Sequence, residues 1–495
     1  MFFRNRHGKS ELVKSHLPVP SPPFCCKPNG QETVYTVSHT VHSDRSPALA
    51  YQVQAGGARL RGDAPASQVG QEPTLGTPAK SSPTCDPETG EIFQAETFNP
   101  MAARLERFAM QSAARSVLPG HRVGCCLRRR QGGKDVEVWK AAGTGAAHYK
   151  KLQTCGSVWV CPICAAKISE KRRAELVSAV ATHKAQGGAV LLLTLTNPHE
   201  RGNKLSDLLE GQTQAFTRFL KGRVWDLLAN RIGLVGHVRA WEVTHGVNGW
   251  HPHFHVLLFV REGLDLASLH RDLLARWQSC CEKAGLHRPS DAHGIRLDDG
   301  THAARYAAKW GIEQEMTKGH IAKKAKSGGS SPFDLLRRVL ADRSDKQAAF
   351  LFREFAEAFH GRRQLVWSKG LKDRFSIQAV ADELIAEGGD EESVRLGVLS
   401  VEDWRRVLWV EGRSIVLELA RHGWPAVELY LGGLRRSLGD LGQALEDDGE
   451  GEPGCDRRAR RGAPSQASDV LGPPPVITGA TDLVARLMHP SGIDV

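Results

Sequence analysis

Apolar residues in the middle of the chain recur with two periods. A period of two is typical of half-buried strands, and a period of three to four is typical of amphipathic helices. In chain order the pattern predicts a strand at 188–196, a helix at 206–222, two strands at 234–245 and 251–260, a helix at 264–285, a strand at 294–299 and a helix at 301–315. This β-α-β-β-α-β order predicts an α+β, ferredoxin-like antiparallel sheet with helices on one face, which leaves the other face open for a site.

The regions outside this pattern suggest the domain organisation. Residues 1–100 and 446–495 are rich in Pro, Gly, Ser and charged residues and have no persistent apolar period. Because such segments bury too little apolar surface to offset the entropy of ordering, we expect both to be disordered. Between them we expect a cysteine-rich module and helix at 115–185, the sheet domain at 186–330 and a helical domain at 331–445.

Composition narrows the possible partners and the compartment. The 66 Lys and Arg against 55 Asp and Glu give a formal charge of +11, which favours a polyanionic partner such as nucleic acid, although solvated basic faces would give the same balance. No apolar run approaches the ~18–20 residues of a membrane span, and the first residues lack the apolar segment of a signal peptide. We therefore expect a cytoplasmic protein with no membrane partner.

Three histidines alternate along the second strand of the predicted hairpin. Side chains alternate between the two faces of a strand, so His251, His253 and His255 share one face. A two-residue turn at 248–249 would pair Glu242 with His255, and a four-residue loop would pair it with His253. Both registers place this carboxylate on the histidine face, whereas a three-residue loop would not.

Two imidazoles and a carboxylate around an open position suit a divalent metal ion. Mixed nitrogen and oxygen ligands favour Mn²⁺ or Mg²⁺ acting on a phosphate substrate, with Zn²⁺ as an alternative. A plain structural interpretation is that the histidines merely line a polar sheet face. The opposing carboxylate favours the metal site.

A tyrosine on the last predicted helix could supply a nucleophile. Lys309 follows Tyr306 by three residues and therefore shares its face of the helix. A tyrosine near a divalent metal can attack phosphorus and form a covalent phosphotyrosine. Lys309 could hold a phosphate or favour the phenolate. Alternatively, Tyr306 and Trp310 are a packed aromatic pair.

The eleven cysteines of the chain include several in CC or CxxC pairs, which indicates metal ligands or free thiols rather than a disulfide framework. Cys155, Cys161 and Cys164 have a spacing that suits a structural Zn²⁺, with a fourth ligand from the pair at 125–126. Buried or incidental thiols are the alternative. Basic residues suited to phosphate contacts flank the cluster, namely Arg128, Arg129, Arg130, Lys150, Lys151, Lys171, Arg172 and Arg173.

A second basic stretch, 318–326, follows the tyrosine helix and contains Lys323 and Lys324. It could hold the DNA backbone near the reaction site, or it could be a solvated linker. Contacts of this kind position a nucleic acid but do not read its sequence.

Three segments in a fixed order carry a family resemblance: VLLLTLTNPH, WHPHFHVLLF and ARYAAKWG. They resemble the motifs of HUH endonucleases (His-hydrophobe-His), in particular the replication initiators (Rep proteins) of rolling-circle plasmids that use one catalytic tyrosine. The resemblance spans residues 120–375 or so, and it includes CGSVWVCPICAAKI and GRRQLVWSKGLK.

This resemblance implies the chemistry and the ligand sets. Tyr306 would nick one strand at the plasmid origin, become joined to the 5′ phosphate and leave a free 3′-OH that primes synthesis. His253, His255 and Glu242 would hold the catalytic metal, and Cys126 rather than Cys125 would complete the zinc site. Single-stranded and double-stranded origin DNA, a host helicase and a host polymerase are the implied partners.

One position departs from the family pattern. Some relatives with one tyrosine have a glutamate four residues before it, which activates the terminating nucleophile, and this chain has His302 there. His302 could act as the base, or Glu313 or Glu315 could replace it. Competing interpretations are an HUH transposase or relaxase, a metallohydrolase that uses water, and a non-catalytic zinc-dependent DNA-binding regulator.

Overall fold

The computed structural model describes residues 83–85, 92–94, 100–299, 329–388 and 392–438. Strands β1 (Pro83–Cys85) and β2 (Ile92–Gln94) pair in antiparallel fashion, so the region we expected to be disordered contains this short hairpin. Helix α1 (Pro100–Val117) follows, beginning within the same region.

The cysteine-rich region combines a 3₁₀ turn, a strand pair and a long helix. The turn is Arg122–Cys125, and the elements after it are β3 (Val136–Ala141), β4 (Ala147–Lys150) and α2 (Pro162–Ala185). Pro162 occupies the first position of α2, where its missing N–H costs nothing and its φ angle suits a helix.

The central region contains the predicted strands and one helix that the pattern did not reveal. Its elements are β5 (Gly188–Leu195), α3 (Leu205–Phe219), α4 (Arg223–Arg231), β6 (Gly236–Gly246), β7 (Gly249–Arg261), α5 (Leu266–Lys283) and β8 (Ile295–Asp299). The predicted helix at 301–315 lies outside the described residues.

The C-terminal region is mainly helical but contributes two strands. Its elements are α6 (Pro332–Ala341), α7 (Lys346–Ala358), β9 (Leu365–Trp367), α8 (Leu371–Arg374), α9 (Asp382–Glu387), β10 (Ser393–Leu399), α10 (Val401–Trp409), α11 (Arg413–Arg421) and α12 (Trp424–Leu438).

Five strands form one antiparallel sheet in the order β8-β5-β7-β6-β9. Strand β7 lies at its centre, and the run from Val256 to Val260 is buried throughout because both faces of the sheet are covered there. The predicted α+β class with an antiparallel sheet is therefore confirmed.

Helices pack on both faces of this sheet, so the prediction of helices on one face is wrong. On one face Phe254 and Leu193 join the core that includes α3 and α5. On the other face Leu257 packs with Leu176 of α2 and with Phe375, which directly follows α8. Periodicity could not reveal this second layer, since α2 and α8 lie outside the strand-rich stretch.

The C-terminal region is not a separate helical domain, in contrast to our expectation for 331–445. Strand β9 extends the large sheet beside β6, and β10 pairs with β3 of the cysteine-rich region. Both strands find their partners far away along the chain, and a local pattern carries no information about such pairing.

The hairpin between β6 and β7 has the register that pairs Glu242 with His253. Val247 and Asn248 occupy the turn, one residue earlier than predicted, and Gly246 pairs with Gly249. Gly249 has a φ angle of +85°, and a Cβ atom there would lie 3.0 Å from the Cα atom of Arg201. Glycine is therefore favoured here for two reasons: it tolerates the positive φ angle, and it has no side chain to clash with Arg201.

Among the helices within the described ranges, none combines the length and the apolar character that a bilayer crossing requires.

Candidate metal centres

Three side chains from the hairpin converge on one point of the sheet. The Nε2 atom of His255 lies 2.8 Å from Oε2 of Glu242 and 3.2 Å from Nε2 of His253. The Nε2 atom of His253 lies 3.6 Å from the same carboxylate oxygen. One donor atom from each side chain lies within 4.8 Å of the others, which makes the group a candidate metal site.

The remaining ring nitrogens are oriented by neighbours. The Nδ1 atom of His255 lies 3.1 Å from the hydroxyl of Thr194, its cross-strand partner on β5. The Nδ1 atom of His253 lies 3.4 Å from the carbonyl oxygen of His251. A ring whose Nδ1 is engaged in this way presents Nε2 to a metal, a common arrangement of metal-binding histidines.

The surroundings of Glu242 favour the ionised form of its carboxylate. Burial by itself raises the pKa of Glu242, but hydrogen bonds and charges from His253 and His255 outweigh it and hold the pKa well below its usual range. An ionised carboxylate beside two imidazole nitrogens provides mixed oxygen and nitrogen donors that fit a divalent cation.

His251 stands beside this group rather than in it. Its ring lies 5.1 Å from that of His253 and 4.8 Å from that of His199, measured between centroids. Burial, followed by the charges of His253 and His199, lowers the pKa of His251 to about 4. His199 ends the segment VLLLTLTNPH, but no role for this residue was predicted from the sequence.

Four cysteines form a second and fully buried cluster. The Sγ atom of Cys126 lies 3.5 Å from that of Cys164 and 3.7 Å from that of Cys161. The Sγ atoms of Cys155 and Cys164 are 3.7 Å apart. Tetrahedral Zn²⁺ with Zn–S bonds of about 2.3 Å places its sulfurs roughly 3.8 Å apart, so the cluster fits that ion. Cys125 does not belong to it.

Local structure brings these thiols together. Cys126 directly follows the 3₁₀ turn. His121 caps the start of this turn, because its Nδ1 atom accepts a hydrogen bond from the N–H of Val123. Cys161 is the N-cap residue of α2, and Cys164 lies in the first turn of that helix.

Two buried polar residues support the thiols from outside. The Nε2 atom of Gln111 on α1 donates to the sulfur of Cys161 at 3.4 Å. Arg413, at the start of α11, donates to Oε1 of Gln111 at 2.7 Å and to the carbonyl oxygens of Cys126 and Leu127 at 3.5 Å and 3.3 Å. Sequence reasoning missed both, because each is joined to the cluster only by the tertiary fold.

Several of the basic residues that we predicted to contact DNA are engaged within the protein. Arg128 pairs with Glu411, Arg172 with Asp382 and Glu175, and Arg173 with Glu170, and the three arginine side chains are each 13–14% exposed. Arg129 and Arg130 are half-buried, and Arg130 donates to the carbonyl oxygen of Gly133. Lys171 is exposed.

The other predicted site residues lie outside the described residues. They are the tyrosine, its neighbours and the two lysines of the second basic stretch: Tyr306, Lys309, His302, Lys323 and Lys324, together with Glu313 and Glu315.

Part of the chain is similar in sequence to known proteins. Residues 147–265, which contain three of the four clustered cysteines and the whole Glu242–His253–His255 group, match the family model of a replication protein. The "Protein rep" of Streptomyces lividans is 28% identical over 356 residues, covering 57% of this chain and 77% of that protein. A protein of Streptomyces cyanogenus named "Neomycin resistance protein" is 30% identical over 148 residues, covering 25% of this chain and 34% of that protein.

No solved structure matches the chain. The fold and the two ligand clusters define an α+β protein with two candidate metal centres, and the matched region contains the complete Glu-His-His group. Part of the chain is therefore similar to replication proteins of the Rep family.

Proposed function

We propose that the chain initiates rolling-circle replication as an HUH endonuclease that nicks one strand of the plasmid origin. The observation that carries this proposal is the convergence of Glu242, His253 and His255 on one point of the sheet. Sheet order adds support, because β8-β5-β7-β6 is the order that a ferredoxin-like β-α-β-β-α-β chain produces.

The donor set fits a divalent cation, Mg²⁺ or Mn²⁺. Such an ion would polarise the scissile phosphate and stabilise the charge that develops during displacement. The protein residues have their own tasks: Thr194 keeps Nε2 of His255 directed at the site, and the low pKa of Glu242 keeps a negative charge there.

Tyr306 is the proposed nucleophile. Its phenolate oxygen forms a bond to phosphorus while the bond from phosphorus to the 3′ oxygen breaks, and the 3′ oxygen leaves as a hydroxyl after taking up a proton. Lys309 would favour the phenolate or hold a phosphate oxygen. His302 would serve as base in the terminating step that rejoins the strands.

The cysteine cluster is proposed to hold a structural Zn²⁺. Its sulfur spacing fits a closed tetrahedral site without an open coordination position, which is typical of structural rather than catalytic zinc. The same proposal assigns single-stranded and duplex origin DNA as substrate, a host helicase and polymerase as partners, and the cytoplasm as location.

The metal role of the histidines is tested by strand cleavage. End-labelled single-stranded oligonucleotides that tile the DNA around the encoding gene are incubated with the protein and Mn²⁺. We expect cleavage by the unmodified chain and by His287→Ala, an exposed histidine outside the site, and none by His255→Ala. Undiminished cleavage by His255→Ala would remove the metal assignment.

A further inference from the structure

A cleft of about 190 Å³ lies beside the cysteine cluster. Its walls come from β4, from the first part of α2 and from the C-terminal elements α9 and α11. The polar residues that line it are Gln131, His148, Tyr149, Lys150, Lys151, Thr154, Lys167 and Glu387. Two of these residues are close to members of the cysteine cluster. Thr154 directly precedes Cys155, and Lys167 follows Cys164 by three residues on α2.

The charge of the lining is predominantly positive. The lining contains three lysines, Lys150, Lys151 and Lys167, and a single carboxylate, that of Glu387. None of these lysines has an ion-pair partner in the described part of the chain. Lys150 places its Nζ atom 3.9 Å from the centre of the Trp139 ring, a contact that orders the side chain without neutralising it. A concave site lined by one sign of charge concentrates the electrostatic potential for an anion.

The backbone at one of these lysines is unusual. Lys151 has a φ angle of +66°, in the left-handed region where glycine is favoured and a long side chain is disfavoured. Its carbonyl oxygen accepts from the N–H of Gln131, which ties this conformation to the next segment of the cysteine-rich region. A lysine where glycine would relieve the strain points to a use for its charge.

The wall also contains an available hydroxyl. The Oγ1 atom of Thr154 is buried and has no hydrogen-bond partner within the described ranges. Hydroxyl groups and lysines are both usual contacts of phosphate oxygens. The contrast with Arg128, Arg172 and Arg173 is direct, since those guanidinium groups are already paired with carboxylates.

We propose that this cleft, the lysine cleft, receives a backbone phosphate of duplex origin DNA. The inference rests on the proposed function, because it assumes that origin DNA is the partner, and it names the surface that docks the duplex. The lysine cleft would fix the position of the DNA without reading its sequence.

The test measures how duplex affinity depends on salt. The variant Lys151→Gln/Lys167→Gln is compared with Lys283→Gln/Lys221→Gln, two exposed lysines outside the cleft whose replacement removes the same charge. We expect the cleft variant to bind at least tenfold more weakly at fixed salt. Its plot of log K against log salt should be less steep by about one for each lysine–phosphate interaction that the substitutions remove. The control should match the unmodified chain.

Two further variants keep the test independent of folding defects. Lys151→Gly removes the charge and relieves the φ strain, so it should weaken duplex binding while the melting temperature stays the same or rises. Glu387→Gln removes the opposing carboxylate and should tighten binding. Unchanged affinity and salt slope in all the lysine variants would overturn the proposal.

Outcomes for the lysine cleft and for nicking can be told apart. Cleft variants should still cleave a single-stranded oligonucleotide at high protein concentration, since the Glu242–His253–His255 group is intact. Absence of cleavage by the unmodified chain would contradict the nicking proposal and leave the duplex measurement valid. Cleft variants that lose affinity for inorganic phosphate but keep duplex affinity would identify a small-anion site and contradict the lysine cleft as a DNA contact.

Discussion

The arrangement of Glu242, His253 and His255 depends on a neighbour that carries no charge. Thr194 stands opposite His255 in the strand register and holds its Nδ1 atom, so Nε2 remains directed at the carboxylate. Such outer contacts commonly change metal affinity by about 10–100-fold.

Replacing Thr194 by Val keeps the shape of the side chain and removes its hydroxyl. We expect Mn²⁺ affinity to fall by about tenfold, because the His255 ring is then without the hydroxyl that orients it. Calorimetric titration with Mn²⁺ measures this directly. Thr217→Val on the exposed side of α3 is the control, and equal affinities for the two variants would show that the hydroxyl plays no part.

Glu411 should contribute to the pH dependence of stability. Burial raises the pKa of Glu411, but the charges of Arg413 and Arg128 overcome it and lower the pKa from 4.5 to about 2. A group with a depressed folded-state pKa stabilises the fold above its unfolded value and loses that contribution as the pH falls towards the folded value. The contribution should therefore disappear between pH 4.5 and about 2.

The variant Glu411→Gln checks this contribution through urea unfolding at several pH values. Its free energy of unfolding should lie below that of the unmodified chain at neutral pH, and the difference should shrink as the pH falls below 4.5. A difference that is constant down to pH 2 would assign the effect to packing instead.

At the residue scale, strand alternation was enough to place Glu242, His253 and His255 on one face. It could not choose the register, because the turn is one residue earlier than the Asn248-Gly249 signal indicates. Gln111 and Arg413 were beyond any local pattern, since α1 and α11 meet only in the folded protein.

Helix α2 connects the cysteine cluster to the large sheet. Its first turn contains Cys164, and farther along Leu176 and Ala179 pack on the large sheet. At 24 residues it spans about 36 Å, so the thiol cluster and the sheet are attached to one rigid rod. A disturbance of the thiols should therefore reach the sheet through α2.

Removal of the hydrogen bond from α1 to the thiols should weaken zinc retention. Gln111→Leu removes the donor to Cys161 while the volume of the side chain is largely kept. We expect zinc to be released to a chromogenic chelator about tenfold faster than from the unmodified chain.

Gln278→Leu is a matched control for this measurement. Gln278 is also a buried glutamine on a helix. Its side chain donates hydrogen bonds to Pro289 and Asp291, and none of its hydrogen bonds in the described part of the chain reaches the cysteine cluster. If both variants release zinc at the same rate, the hydrogen bond to Cys161 has no special role.

At the element scale, long periodic segments were predictable and short ones were not. The strands β5, β6 and β7 and the helix α5 lie within a few residues of their predicted bounds, because each has a clear apolar period. The nine-residue helix α4 and the three-residue strand β9 were missed, since so few residues do not establish a period.

On the scale of the whole molecule, the C-terminal region packs against elements from much earlier in the chain. Strand β10 pairs with β3 from the cysteine-rich region, far earlier in the chain, and Arg413 contacts the backbone of Cys126. A period along the sequence predicts that a segment is helical or extended but not what it packs against, and for this reason a separate helical domain was the natural expectation.

The central claim is that Tyr306 becomes covalently joined to DNA at a site prepared by Glu242, His253 and His255. Its most direct test is a denaturing gel of the protein incubated with Mn²⁺ and labelled single-stranded origin oligonucleotides, with the adduct mapped by mass spectrometry. Tyr430→Phe is the control, since the buried Tyr430 hydroxyl has no hydrogen-bond partner among the described residues. We predict an adduct on the Tyr306 peptide in the unmodified chain and in Tyr430→Phe, and none in Tyr306→Phe. An adduct of undiminished yield in Tyr306→Phe, or cleavage without any adduct, would contradict the claim.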